Sequence, residues 1–323
     1  MIAFGVCYGR MDALARLPAA LFRRIDADPR HWQIIALFGL FLFSYTTSSF
    51  GADPRALAFS FSGAMLAQTL GTALLNLRAG KALLDGFEWK SAMITTIGVT
   101  VLLRAADPWI WFAATFTGIS LKFLIRVNNK HVFNPGCIGI VFMMLLLGRE
   151  AWVSPGQWGQ MPLIAGYALA LAALTLSSAK RLDIALGFLG TFGAILFARA
   201  AWLGDPMAIP LHQMSSGALL VFAFFMITDP RSTPDSRPGR ILFAMAVASL
   251  AAWFIIGPNQ RGAPLMALAA LAFLTPLIDR FMPAGRFEWP CDAPPAGPGQ
   301  RRPAITPVWI TPWGTKETRS HET

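Results

Sequence analysis

The chain has 323 residues, of which 55% are hydrophobic and 14% are charged, and its mean hydropathy is +0.52. Soluble domains carry about 25% charged residues, so this composition excludes an ordinary soluble protein and predicts a polytopic membrane protein. The net charge of +10 would suggest nucleic acid as a partner in a soluble chain. Here the basic residues lie between apolar stretches, so membrane topology explains them and no nucleic-acid partner is expected.

Composition divides the chain into three parts. Residues 1–31 form a basic, amphipathic segment that we expect at the cytoplasmic surface, with no signal peptide. Residues 32–281 form the transmembrane domain, and residues 282–323 form a Pro/Gly-rich cytoplasmic tail. The three cysteines are far apart in the sequence, so neither a disulfide framework nor a metal site is predicted from them.

Apolar periodicity predicts an all-α fold of about ten transmembrane helices. The predicted spans are 32–50, 56–77, 91–104, 109–125, 132–148, 161–178, 182–203, 215–228, 241–257 and 263–279.

The distribution of Lys and Arg supports this layout. With the N-terminus inside and ten crossings, 22 of the 27 basic residues fall on the inside and five on the outside. Such an asymmetry is what the positive-inside rule requires. We therefore predict a multi-pass protein of the bacterial inner membrane with both termini in the cytoplasm.

Two of the predicted spans are unusually short. The spans at 91–104 and 215–228 each open on small polar residues and end near an Asp-Pro pair. They take the same position in each half of the chain, which predicts a 5+5 inverted repeat with two short or broken helices. Short spans of this kind are the best sequence indication of a binding site in a membrane protein.

Several polar residues are candidates for that site. Asn134-Pro135-Gly136 breaks the helix near the membrane, where Asn134 either bonds a ligand or simply caps the next helix. Cys137, on the following turn, is expected to have a packing role. The hydroxyls of Ser91 and Thr95 either line a polar cavity or bond back to their own helix.

Other candidate residues have either a functional role or a purely structural one. His212 lies at the outer lip of the eighth span, where it either relays protons or contacts a cofactor, or is simply solvated. Asp229 precedes Pro230, and its expected role is helix termination and capping. Arg231 and its neighbouring arginines either bind an anion or only mark the cytoplasmic side. No carboxylate lies in the middle of a span, which argues against ion pumping by this chain alone.

Four stretches together resemble one known family. They are KSAMITTIGVTVLL (90–103), NKHVFNPGCIGIVF (129–142), SGALLVFAFFMITDP (216–230) and PGRILFA (238–244). The combination resembles the membrane subunits that include the D subunit of the Rnf electron-transport complex and the B subunit of the sodium-pumping NADH:quinone oxidoreductase. The resemblance implies a ten-span fold, other membrane subunits as partners, and flavins bound in the membrane.

The chain departs from this family at the site of covalent flavin attachment. Family members carry FMN esterified to a threonine on an outer loop, but the corresponding stretch here, 148–162, is short and has no threonine. Leu219 also stands where the later motif tends to have threonine. Covalent FMN is therefore not expected.

A non-covalent flavin, FMN or riboflavin, is expected instead in a cavity between the short spans. No catalytic residue and no metal ligand is predicted. The predicted cofactor-binding residues are Ser91, Thr95, Phe133, Asn134, Pro135, His212, Ser216, Gly217 and Phe224.

The leading hypothesis for function is an integral membrane subunit of an Rnf-type electron-transport system that contributes to electron transfer coupled to ion movement. The first alternative is a solute or ion channel or transporter that keeps the same inverted-repeat fold without a redox cofactor. A second alternative is an assembly subunit whose basic loops dock a partner.

Overall fold

The computed structural model describes residues 28–46, 53–128, 130–153, 181–260 and 262–287. Most of these residues are helical. The helices are α1 (Pro29–Thr46), α2 (Pro54–Ala79), α3 (Trp89–Leu102), α4 (Trp109–Leu124), α5 (Pro135–Leu147), α6 (Leu182–Leu203), α7 (Ala208–Met214), α8 (Gly217–Val221), α9 (Arg237–Ile256), α10 (Ala263–Leu271) and α11 (Leu274–Phe281).

Two short antiparallel strand pairs interrupt the all-α pattern that the sequence predicts. Strand β1 (Leu103–Ala105) pairs with β4 (Ala151–Val153), which follows a 3-10 turn at Gly148–Glu150. Strand β2 (Arg126–Val127) pairs with β3 (Lys130–His131) in a tight hairpin. Runs of only two or three residues have no alternation that sequence reasoning could detect.

Helix ends follow from local capping chemistry. The Asp53 side chain accepts a hydrogen bond from the Arg55 amide, and Pro54 fills the first turn of α2. Ser236 caps α9 by accepting from the Gly239 amide. Gly80 ends α2 with a φ of 65°, a conformation that glycine adopts without strain.

Helices cover every predicted span that lies within the described residues, while the span at 161–178 lies outside them. In the described part of the chain, three helices (α2, α6 and α9) are long and apolar enough to cross a membrane. The number rises to five if each bent pair, α7 with α8 and α10 with α11, crosses as one span. Ten crossings and the inverted repeat stay predictions.

The predicted short spans are indeed short or broken. Helix α3 has 14 residues. Helix α7 is bent by 47° against the next helical segment, and the break falls at Ser215-Ser216. Helix α8 then passes into a π-helical turn, Phe222–Met226, all of whose residues are buried. The bend of 52° between α10 and α11 was not predicted.

Helix α2 has polar residues inside and apolar residues outside. Ser60, Gln68 and Thr72 are buried, whereas Leu70 and Leu74 are about half exposed. The Ser60 carbonyl accepts a hydrogen bond from the Thr115 hydroxyl of α4. Polar groups turned toward protein and apolar groups turned outward are typical of a helix in lipid.

Helices α4 and α5 approach each other so closely that only glycine fits at the contact. A methyl group on Gly118 would overlap the Pro135 carbonyl oxygen, and one on Gly139 would overlap the Ala114 carbonyl oxygen. These are backbone atoms, which cannot move aside without shifting a helix. The pair of glycines therefore fixes the position of the N-terminus of α5.

We predict that Gly139→Ala lowers the free energy of unfolding by about 1–3 kcal/mol, because the added methyl forces α4 and α5 apart. The matched control is Gly190→Ala on α6, where a methyl group would meet nothing within 4 Å. Thermal unfolding of both variants in detergent measures the difference. Equal stability of the two variants would contradict the close helix contact.

Candidate functional site

A cleft lies where α3, the π-helical turn and the N-terminus of α5 meet, with α1 on a third side. The irregular backbone of the π-helical turn is buried here against protein, as such backbone must be in a membrane. The lining residues are Arg30, Gln33, Leu37, Glu88, Ser91, Ile94, Thr95, Gly98, Asn134, Pro135, Gly136, Val221, Phe224, Phe225, Met226, Thr228, Asp229, Pro230 and Arg231.

Two side-chain amides hold the π-helical wall of the cleft. Asn134 donates to the Met226 carbonyl at 3.3 Å, and Gln33 donates to the Phe225 carbonyl at 3.5 Å. Asn134 also caps α5, since its Oδ1 accepts from the Cys137 amide at 3.0 Å. The sequence left capping and ligand binding as alternatives for Asn134; the structure shows the cap, and it places Asn134 in the lining of the cleft.

Glycines leave a gap between α3 and α5 that Met226 fills. A Cβ on Gly98 would lie 3.7 Å from the terminal methyl of Met226, and one on Gly136 would lie 3.4 Å from the same methyl. The remaining free volume of the cleft is about 90 Å³. Small-molecule sites commonly enclose about 300–1,000 Å³, so a ring-sized ligand requires the flexible Met226 side chain to move.

An ion cluster closes the mouth of the cleft. Glu88 accepts from Lys122 at 3.1 Å and from Arg231 at 2.9 Å. Lys122 is only 3% exposed, and it also donates to Ser91 at 2.9 Å and to Gln68 at 3.4 Å. Burial by itself raises the pKa of Glu88, but the charges of Lys122 and Arg231 outweigh it and hold the pKa at about 2. Glu88 is therefore ionised.

A second ion pair lies beside this cluster. Asp28 is buried and accepts from both Arg30 and Lys90, the latter at 2.6 Å. Burial raises the pKa of Asp28, but the hydrogen bonds from these two cations hold it well below its usual range. The start of α1 is thereby tied to the start of α3.

Asp229 lies just after the end of a helical segment, as the sequence predicts, and its carboxylate has a further role. Its carboxylate bonds His131 Nε2 at 3.0 Å and the Ser232 hydroxyl at 3.0 Å. Both His131 and the Asp229 carboxylate are turned away from solvent, with side-chain exposures of 5% and 19%. Asp229 thus links the loop after the π-helical turn to the β2–β3 hairpin.

The structure brings some of the predicted site residues together and separates others. Five line the cleft: Ser91, Thr95, Asn134, Pro135 and Phe224.

The other four predicted residues do not line the cleft. Phe133 packs edge-on against Phe273, with ring centroids 5.0 Å apart. His212 is exposed on α7. Ser216 precedes α8 and Gly217 begins it, beyond the lining residues.

Sequence reasoning missed the charged residues of the cleft mouth. Lys122 falls inside the predicted span 109–125, and a cation within a span usually marks a functional or paired site. That signal could have singled out Lys122. Nothing in the sequence pairs it with Glu88, because the two residues are 34 positions apart and on different helices.

The cleft combines apolar walls with a charged mouth. Phe224, Ile94 and Leu37 supply apolar surface, while two cations, Arg30 and Arg231, and two carboxylates, Glu88 and Asp229, line the rest. Such a site suits a ligand with an apolar ring system and a polar end. Among the described residues, no group of three or more His, Cys, Asp or Glu side chains is placed to hold a metal ion.

The second half of the chain matches a known family model. The model of the NQR2, RnfD, RnfE family matches residues 151–288, which contain the stretches 216–230 and 238–244. The resemblance to this family is confirmed.

Relatives of known name agree with the family match, and each bears the name of the D subunit of an ion-translocating oxidoreductase complex. The protein of Alcanivorax borkumensis is 27% identical over 224 residues, which are 50% of this chain and 64% of the relative. That of Pseudomonas paraeruginosa is 28% identical over 248 residues, or 58% of this chain and 71% of the relative. That of Stutzerimonas stutzeri is 32% identical over 152 residues, or 42% of each chain. The chain thus spans just under two thirds of the first of these relatives.

We predict that Glu88→Gln destabilises the protein and makes it less sensitive to acid. Removing one partner of a buried ion pair costs about 3–5 kcal/mol, and we expect about 1–3 kcal/mol here because solvent reaches Glu88. The pKa of Glu88 is lowered from 4.5 to about 2, so its stabilising effect is complete above pH 4.5 and is lost as the pH falls toward 2.

Thermal unfolding measured at neutral pH and in steps down to about pH 3 tests this prediction. The matched control is Glu150→Gln, which changes an exposed glutamate outside the cleft. If acidification lowers the stability of Glu88→Gln as much as that of the unchanged protein, Glu88 does not stabilise the cleft mouth.

Proposed function

We propose that the chain is a membrane subunit of an ion-translocating oxidoreductase complex and that it holds a non-covalent flavin in the cleft. The family match and the names of the relatives support the first part. The observation that supports the second is the cleft itself, at the meeting point of the short helix α3 and the π-helical turn. In this reading the protein contributes to electron transfer coupled to ion movement.

The apolar and polar residues that line the cleft match the apolar ring system and the polar groups of a flavin. A flavin supplies chemistry that no side chain has, because it accepts and donates electrons one or two at a time. Phe224 and Ile94 give an apolar wall for a ring system, and Gln33 and Asn134 hold that wall in place. Arg231, which donates to Glu88 at 2.9 Å, also lines the cleft, where a cation stabilises added negative charge.

Non-covalent binding follows from the absence of an acceptor hydroxyl at the expected position. Leu219 is an apolar residue buried in the core next to the cleft-lining Val221. A phosphoester needs a hydroxyl oxygen, which leucine does not have. Residues 154–162 of the other predicted attachment stretch lie outside the described residues.

Location and partners follow from the same proposal. We place the protein in the bacterial inner membrane, surrounded by lipid and by other membrane subunits of the complex, with both termini in the cytoplasm. The predicted inside segments support this sidedness, since basic residues from several of them form ion pairs with acidic residues of other segments. Lys122 and Arg231 pair with Glu88, Lys90 pairs with Asp28, Lys130 pairs with Asp235 and Asp279, and Arg240 pairs with Asp183.

The proposal predicts that the purified full-length chain retains about one flavin per chain. After saturation with riboflavin or FMN and gel filtration in detergent, an absorption band near roughly 450 nm should remain. Met226→Ala should retain flavin more tightly, because it empties the gap between Gly98 and Gly136. Gly98→Leu should abolish retention by filling that gap.

The control for the blocking variant is Gly190→Leu, which adds the same side chain at an exposed position of α6. It should retain flavin like the unchanged protein. If both the unchanged protein and Met226→Ala stay colourless, the flavin proposal is wrong. Salt flux through liposomes containing the colourless protein would then favour the channel alternative.

A further inference from the structure

A second cavity lies under the β2–β3 hairpin, on the other side of Asp229 from the cleft. Its free volume is about 180 Å³, enough for several water molecules. The residues lining it are Val127, Asn128, Lys130, His131, Val132, Asp235, Thr275, Pro276, Asp279, Pro283, Ala284 and Arg286. By the predicted topology, this cavity is on the cytoplasmic side.

One pair of side chains, Asp229 and His131, lies between the two spaces. Asp229 lines the cleft, and His131 lines the second cavity. Their side chains are joined by the 3.0 Å contact between Asp229 Oδ2 and His131 Nε2. A change of charge on His131 is therefore felt directly at the wall of the cleft.

The ring of His131 has one nitrogen without a partner. Its Nδ1 is buried and makes no hydrogen bond within the described part of the chain. The ionised Asp229 accepts a hydrogen bond from Nε2, so Nε2 bears the ring proton and Nδ1 keeps a free lone pair. A buried lone pair without a partner is costly, and a proton or a hydrogen-bond donor from the cavity would satisfy it.

Asp229 is built to remain ionised. The Arg231 amide donates to its Oδ1 at 3.2 Å, and the Ser232 hydroxyl donates to its Oδ2. Burial raises the pKa of Asp229, but when His131 is protonated its charge and hydrogen bond, together with these donors, hold that pKa well below its usual range. The carboxylate therefore stays available to stabilise a positive imidazolium beside it.

Charged groups from every neighbouring element face this pair. Lys130 is neutralised by Asp235 and Asp279 at 3.0 and 2.9 Å, and Arg126 lies opposite His131 in the hairpin. The other groups that act on the pair or line its cavity are Lys122, Arg181, Arg231 and Arg286. Asp229 is thus the negative group that directly contacts the His131 ring.

We infer that His131 is a proton-binding site that compensates changes of charge in the cleft. When the cleft gains one negative charge, Nδ1 of His131 takes up one proton from the second cavity, and the Asp229–His131 pair changes from net −1 to neutral. When that charge leaves the cleft, the same proton returns to the cavity. The link to electron uptake rests on the function proposed above, whereas the proton site itself does not.

The proton-binding role falls on a different histidine from the one that the sequence indicates. Sequence analysis offered His212 as a proton relay, but His212 is exposed on α7 and lines neither cavity. His131 has a carboxylate fixed on one ring nitrogen, and its other ring nitrogen is buried without a partner in a residue that lines the second cavity. His131 is therefore the better candidate.

The first test needs no flavin. Nitrogen NMR of the full chain labelled at its four histidines, with His131→Gln for assignment, reports which ring nitrogen bears the proton. At about pH 8 we expect His131 to carry the ring proton on Nε2 alone, and acidification to add a second proton at Nδ1. Asp229→Asn should abolish the single tautomer, because an amide can donate as well as accept. A proton on Nδ1 at pH 8, or none gained on acidification, would overturn the inference.

The second test measures proton uptake when the flavin-loaded protein is chemically reduced, using a pH indicator. We expect His131→Gln to take up fewer protons than the unchanged protein, by as many as one per chain. Glutamine can still donate to Asp229, so the fold should survive. His212→Gln, the matched control, should behave like the unchanged protein.

The two tests separate the two proposals. If the unchanged protein holds no flavin, the proposed function fails, and the NMR result alone decides whether His131 binds protons. If flavin is bound and His131→Gln takes up as many protons as the unchanged protein, the link between His131 and the cleft is refuted while the flavin proposal stands.

Discussion

The ion pairs around Glu88 hold the site together. Glu88 lies at the start of α3 and accepts from Lys122 of α4 and from Arg231 after the π-helical turn. A buried cation without its carboxylate would cost several kcal/mol, so three distant segments are forced to one point. Glu88 and Arg231 both line the cleft, so the point at which these segments converge lies at its wall.

Irregular backbone at the cleft is stabilised by side chains from other helices. The π-helical turn leaves carbonyls that regular α-helical bonds would have satisfied, and π-helical turns are frequent at functional sites. Gln33 of α1 and Asn134 of α5 satisfy two of these carbonyls. The close contact of Gly118 and Gly139 then sets where Asn134 stands. The helix contact at Gly118 and Gly139 therefore positions Asn134, which in turn holds the wall of the cleft.

The arrangement of the two cavities allows a proton to offset the charge of an electron taken up in the cleft. Electron uptake in a low-dielectric cleft builds up negative charge, which a nearby proton can offset. The Asp229–His131 pair lies between the cleft and the second cavity, where such a proton could be held. Neither residue is close to the other in sequence, since they are 98 positions apart.

The sequence by itself determined the membrane class, the helix positions within the described residues and the two short spans, because apolar periodicity and small polar starts are local signals. It also indicated Asn134 and Ser91 as residues of the cleft. Only the tertiary structure decided that Phe133 and His212 lie elsewhere, and that Glu88, Lys122 and Asp229 form the charged surroundings of the site. Ion pairs and cavities depend on contacts between distant segments, and no local pattern in the sequence encodes which charges will meet.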